Sequence, residues 1–113
     1  MTMPAGERSS TGLDANMAAA LAYLAGFVTG IVMLIIEKES RFVRFHAMQS
    51  TVVFVAVLIL SVVINSIPIL GTFLYAFLLL PAVVIIWLVL MFKAYKGERF
   101  KLPVAGDFAE KQI

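Results

Sequence analysis

The chain contains no cysteine. Disulfides, thiolate metal sites and a cysteine nucleophile are therefore excluded. Charge is scarce too: 14% of the residues carry one, against about 25% in an ordinary soluble domain. There is a single histidine, His46. A metal site built on it would need carboxylates, and the nearest in sequence, Glu37 and Glu39, lie among Lys38, Arg41 and Arg44. No metal role is assigned. A net charge of +2 gives no reason to expect a nucleic-acid partner. No Ser-His-Asp spacing, phosphate loop or HExxH occurs. No catalytic residue and no cofactor are therefore expected.

What fills the chain instead is apolar. Of its 113 residues 62% are hydrophobic, with a mean hydropathy of +1.00. That is the composition of a membrane protein, and the length of one small unit. Two uncharged runs carry it, Ala15 to Ile36 and Phe45 to Phe92. Between them lies the one charged interval, beginning at Glu37, where the chain must surface. The polar start, with only Arg8 beside Glu7, lacks the basic region of a secretory signal, and the first run is too long for one, so it reads as a retained helix.

The expected architecture is all-α, with three transmembrane helices at about 15–36, 45–66 and 72–95. The first run, 22 residues, would reach about 33 Å, enough for a hydrocarbon core of about 30 Å. Asp14 is its candidate N-cap. Ala18, Ala22, Gly26 and Gly30 recur every four residues on it, a small-residue face of GxxxG type. That face serves either dimerisation or packing against the protein's own helices; internal packing is preferred, since a three-helix protein needs its own contacts first. The 48 uncharged residues that follow would make a helix of about 72 Å, so they must break. Turn chemistry occurs only near Pro68 and Gly71. Ser40 is the candidate N-cap of the second helix. His46, Ser50, Ser61 and Asn65 share one of its faces, with Gln49 at the edge. Pro81 should kink the third helix. In domain terms, residues 1–12 form a flexible tail, 13–96 a three-helix membrane domain and 97–113 an interfacial tail.

Basic residues set the orientation. The first loop holds Lys38, Arg41 and Arg44, and the C-terminal tail holds Lys93, Lys96, Arg99, Lys101 and Lys111. Both belong in the cytoplasm by the positive-inside rule. Three spans then put the N-terminus and the uncharged Pro68 turn outside.

Several strings recur together: Thr11-Gly12-Leu13-Asp14, Thr29-Gly30, Glu37-Lys38, Ile67-Pro68, Trp87, Ala94-Tyr95-Lys96-Gly97-Glu98, Lys101-Leu102-Pro103 and Gly106-Asp107. The most specific is Phe42-Val43-Arg44-Phe45-His46-Ala47-Met48-Gln49-Ser50. With these, the chain from Thr11 to Lys111 resembles a family of small bacterial and archaeal multi-pass membrane proteins of uncharacterised function. That family is distantly similar to the small channel-associated subunit of the chloroplast inner-envelope import translocon. The resemblance implies an inner-membrane, multi-pass protein and supplies no catalytic or binding residues.

Arg41, Arg44, Phe45, His46, Gln49 and Ser50 are the candidate interface to lipid, anionic phospholipid included, or to a partner. For His46 and Gln49 hydrogen bonding to helix one, or to the chain end, at the cytoplasmic surface is the preferred expectation. The functional expectation is a non-enzymatic assembly or accessory subunit, contacting other membrane proteins or copies of itself. The alternative is an oligomeric transport, channel or translocon-like component.

Overall fold

The computed structural model describes residues 9–112. They form α1 (Ala15–Leu24), α2 (Phe27–Ile36), α3 (Arg41–Asn65), α4 (Leu70–Leu74), a π turn (Tyr75–Leu79), α5 (Leu80–Tyr95) and α6 (Ala105–Gln112). No strand occurs among the described residues. The expected flexibility of residues 1–8 lies outside the described residues.

The first apolar run is not one helix. It breaks at Ala25–Gly26, where Gly26 takes φ 62° and ψ −133°, a backbone open to glycine and strained for other residues. Beyond the break the chain turns back. Asn16, at the start of α1, donates from Nδ2 to the Tyr95 carbonyl at 2.8 Å. Ser10, just before α1, donates its N–H to the Glu37 carboxylate, just after α2, at 2.7 Å. Both ends of the α1–α2 hairpin therefore lie at one end of the molecule, beside the hinge, the charged interval that begins at Glu37 and leads into α3. This corrects the expectation of a single spanning helix at 15–36 that carries the N-terminus to the far side. Ten residues per leg reach about 15 Å, half a hydrocarbon core.

Among the described residues two elements are long and apolar enough to cross a membrane: α3, and the continuous rod Leu70–Tyr95 made by α4, the π turn and α5. Ser40 caps α3, accepting from the Val43 N–H at 3.2 Å. Asp14 stands at the N-cap of α1, but its side chain makes no capping hydrogen bond. Proline 81 has no N–H for the carbonyl four residues back. The rod meets this with a π turn just before it, in which the Leu80 N–H reaches the Tyr75 carbonyl, five residues back.

The turn between α3 and the rod is very tight. Leu70 N–H bonds the Pro68 carbonyl at 2.6 Å over Ile69 at φ 62°, a γ-turn of the rare, strained type. The same turn recurs after Pro103: Ala105 N–H bonds its carbonyl at 2.7 Å over Val104 at φ 67°. In each case a glycine follows where a Cβ would collide, at 2.0 Å from the Ile64 carbonyl oxygen for Gly71 and 2.5 Å from the Lys101 Cβ for Gly106.

The C-terminal segment is also folded back. Gly97, at φ 82°, closes α5 with the paired bonds of a Schellman motif, Gly97 N–H to Ala94 and Glu98 N–H to Lys93, both at 3.0 Å. Residues 98–102 then run extended beside α3, and α6 packs against α3. The core is consequently one-sided. On α3 the buried residues fall between Phe42 and Ser50, with none beyond. On the rod they are Gly71, Leu90 and Ala94.

Candidate functional site

The most specific string of the sequence sits at the centre of this core. Phe45, His46, Gln49 and Ser50 are fully buried, so they do not form the outward interface expected of them. The cause is crowding: α1, α2 and the extended tail all pack on the first turns of α3, leaving Arg41 as the exposed member of the six.

The hydrogen bonds fix the roles of the buried polar atoms. The Glu98 carbonyl can only accept, so His46 Nε2 carries the proton and donates at 2.9 Å. Its Nδ1 is then the acceptor for the Tyr23 hydroxyl at 2.6 Å. That hydroxyl in turn accepts from Gln49 Nε2 at 2.9 Å. The second Gln49 amide hydrogen goes to the Phe100 carbonyl at 2.9 Å, while its Oε1 accepts from Leu102 N–H at 2.9 Å. Tyr23, Phe42 and Phe45 stand edge-on around the imidazole, with ring centroids 4.7–5.4 Å away. Arg99 lies over the Phe45 ring at 5.3 Å. His46 and Gln49 thus touch both α1 and the chain end. They serve as hydrogen-bond partners for three alternate residues of the extended segment, Glu98, Phe100 and Leu102.

A second set of side chains closes the hairpin tip. Breaking a helix frees carbonyls and N–H groups, and in an apolar setting each needs a partner. The Tyr23 carbonyl takes Gly26 N–H at 3.2 Å and the Trp87 indole N–H at 2.6 Å. Thr29 donates its hydroxyl to the Ala22 carbonyl and accepts from Ala25 N–H, both at 3.1 Å. Ser50 donates to the Gly26 carbonyl at 2.9 Å. The four small residues read as one packing face are divided by this break. Ala18 and Ala22 are buried on α1, Gly26 forms the tip, and Gly30 lies on α2 against Ala47 and Thr51. The 3.6-residue period assumed an unbroken helix.

The third set joins the hairpin to the hinge. Glu37 is fully buried and accepts from the Ser9 hydroxyl and from the N–H groups of Ser10, Glu39 and Ser40. Burial pushes its pKa up; these hydrogen bonds outweigh it and hold the carboxyl below the usual carboxylate range. Residues 9–12, expected to be flexible, are held by this contact. Arg44 reaches back to the Leu34 and Glu37 carbonyls at 3.2 and 2.8 Å, so it caps the C-terminal end of α2.

Sequence reasoning named helix one and the chain end as the partners of His46 and Gln49, but not Tyr23 and residues 98–102 as the groups that answer, nor Trp87 as a donor. One signal was present: a tyrosine hydroxyl and an indole N–H inside apolar helices need partners. The stripe toward the far end of α3 has a plainer fate. Ser61 and Asn65 bond the Val57 and Ser61 carbonyls of their own helix. Beside the tip, between α3 and the rod, opens a groove of 410 Å3 bordered by Phe54, Ser61, Tyr75 and Trp87.

A family profile described as "Magnetosome magnetite crystal formation protein family" (MamF/MmsF) matches residues 12–109. A UPF0132 membrane protein of Methanocaldococcus jannaschii is 51% identical over 104 residues, covering 92% of this chain and 93% of the relative. Another, of Archaeoglobus fulgidus, is 52% identical over 98 residues, covering 87% and 94%. No solved structure matches.

Proposed function

The chain belongs to the magnetosome magnetite crystal formation family, its relatives above are named as membrane proteins, and from there we propose a non-enzymatic architectural role as an assembly or accessory subunit of the cytoplasmic membrane. One observation carries this reading. The polar atoms of its most specific string, at His46 and Gln49, are engaged by Tyr23 and by the chain's own backbone. They build a shape rather than present a reactive group.

Within the bilayer, α3 and the Leu70–Tyr95 rod span, while the α1–α2 hairpin enters from the hinge side and returns. Irregular backbone is tolerated at such depth only when protein groups satisfy it, as Trp87, Thr29 and Ser50 do here. Lys38, Arg41, Lys93, Lys96 and Arg99 lie at the hinge end. The positive-inside rule then places that end in the cytoplasm, among anionic headgroups, with the Pro68 turn outside. The family description speaks of magnetite. Among the described residues no group of three or more His, Cys, Asp and Glu could hold a metal ion, so the proposal takes the membrane architecture and not iron chemistry.

The test is photo-crosslinking in native membranes from Arg41, exposed at the hinge, and from Phe77, exposed on the rod. A discrete heterologous partner at either position is the expected result. Uncrosslinked monomer at both positions overturns the accessory-subunit reading. The groove beside the tip favours a second reading, an oligomeric transport or translocon-like component. A ladder of self-crosslinks of fixed size from Phe77 would select it.

A further inference from the structure

The molecule is much thicker at one end than at the other. At the hinge end α1, α2, the first half of α3, the last half of α5, the extended tail and α6 pack together. Past the hairpin tip only α3 and the rod continue. Burial marks the same boundary: α3 buries nothing after Ser50, and the rod buries only Gly71 before Leu90.

The boundary falls near the middle of a bilayer. Gly26, at the tip, lies against Phe54, thirteen residues into α3. That is about 20 Å from Arg41 along the axis. One leaflet therefore receives at least two helices more than the other. At a diameter of about 10 Å each, the excess is roughly 160 Å2 of cross-section, before the tail and α6 are counted.

We propose that the protein is a membrane-curvature wedge, seated in bilayers that are convex on the side carrying the hinge. The physical basis is area mismatch. Inserting more protein into one leaflet expands it against the other. A flat bilayer must strain to match, whereas a bilayer curved away from the crowded side already has the larger area there. Curvature sensitivity of this kind is known for helices that enter one leaflet only. Here the hairpin is locked into the fold by Trp87, Tyr23 and Glu37, so the asymmetry is permanent and needs no binding step. The inference rests on the re-entrant reading of α1–α2.

The test uses the full chain in phosphatidylcholine–phosphatidylglycerol vesicles of small and large diameter. The absence of native cysteine allows one fluorophore at Lys111→Cys, and an impermeant quencher tells copies with the hinge outside from copies with it inside. Outward-facing copies should be enriched per unit area on the small vesicles, and inward-facing copies depleted. Equal density on both sizes overturns the wedge. Impermeant maleimide labelling of Asn16→Cys and Lys38→Cys separates the two layers of the argument. Labelling from opposite sides overturns the re-entrant reading and the wedge with it. Labelling from one side with equal densities removes the wedge alone. Enrichment seen only at protein densities where Phe77→Cys copies crosslink also overturns it, since an oligomeric scaffold would then be the agent.

Discussion

Gln49, like His46, joins α1 to the chain end, donating to Tyr23 and Phe100 and accepting from Leu102. Gln49→Leu keeps the bulk and removes all three bonds. The Phe100 carbonyl and the Leu102 N–H are then left unsatisfied, at a cost of about 2–4 kcal/mol. Thermal unfolding in detergent should show the loss, with faster hydrogen exchange at residues 98–102. An unchanged exchange rate there would mean that Gln49 does not hold the tail. Gly26 is the other decisive residue. At φ 62° a side chain is strained, and a Cβ would meet Phe54 at 3.3 Å. Gly26→Ala should cost about 1–3 kcal/mol, whereas a packing-face alanine on a continuous helix would be tolerated. The melting temperature of that single variant separates the two geometries. The residue type was legible in the sequence, but its role was not: GxxxG fits a helix interface and a helix break equally well.

At the scale of elements, the hairpin depends on groups at its two ends. Trp87→Phe removes the indole donor to the Tyr23 carbonyl. It should lower stability by about 1 kcal/mol and raise hydrogen exchange at the tip rather than in α3. At the other end Glu37 joins Ser9 and Ser10 to the start of α3. Its folded pKa is depressed, so its contribution is complete above the ordinary carboxylate pKa and is lost as pH falls through the folded value. The melting temperature should therefore be flat through neutral pH and fall on acidification. Glu37→Gln should begin lower and lack that part of the acid limb. An identical acid limb in the variant would assign the titration to another carboxylate. Boundaries of this kind were partly readable beforehand. Ser40 and Pro68 are local chemistry, and the structure places a cap and a turn there. The direction of α2 depends on distant partners, so no local signal could supply it.

For the whole molecule, the depth of the tip is the quantity that matters. Trp87 is the only tryptophan, and it lies eight residues from Tyr95, about 12 Å along the rod. Its fluorescence should be quenched more by lipids brominated near mid-chain than by those brominated near the headgroup. The reverse order would place the tip at the interface and remove the half-crossing hairpin. Composition alone determined that the chain is helical and suited to lipid, because a backbone in hydrocarbon must bond to itself. Spacing alone determined that the later run makes two long helices, because 48 residues overrun any bilayer. Whether the first run crosses or returns was decided only in three dimensions. The same apolar run suits either outcome, and the balance between them rests on whether Trp87, Thr29, Ser50 and Glu37 are placed to receive the broken helix.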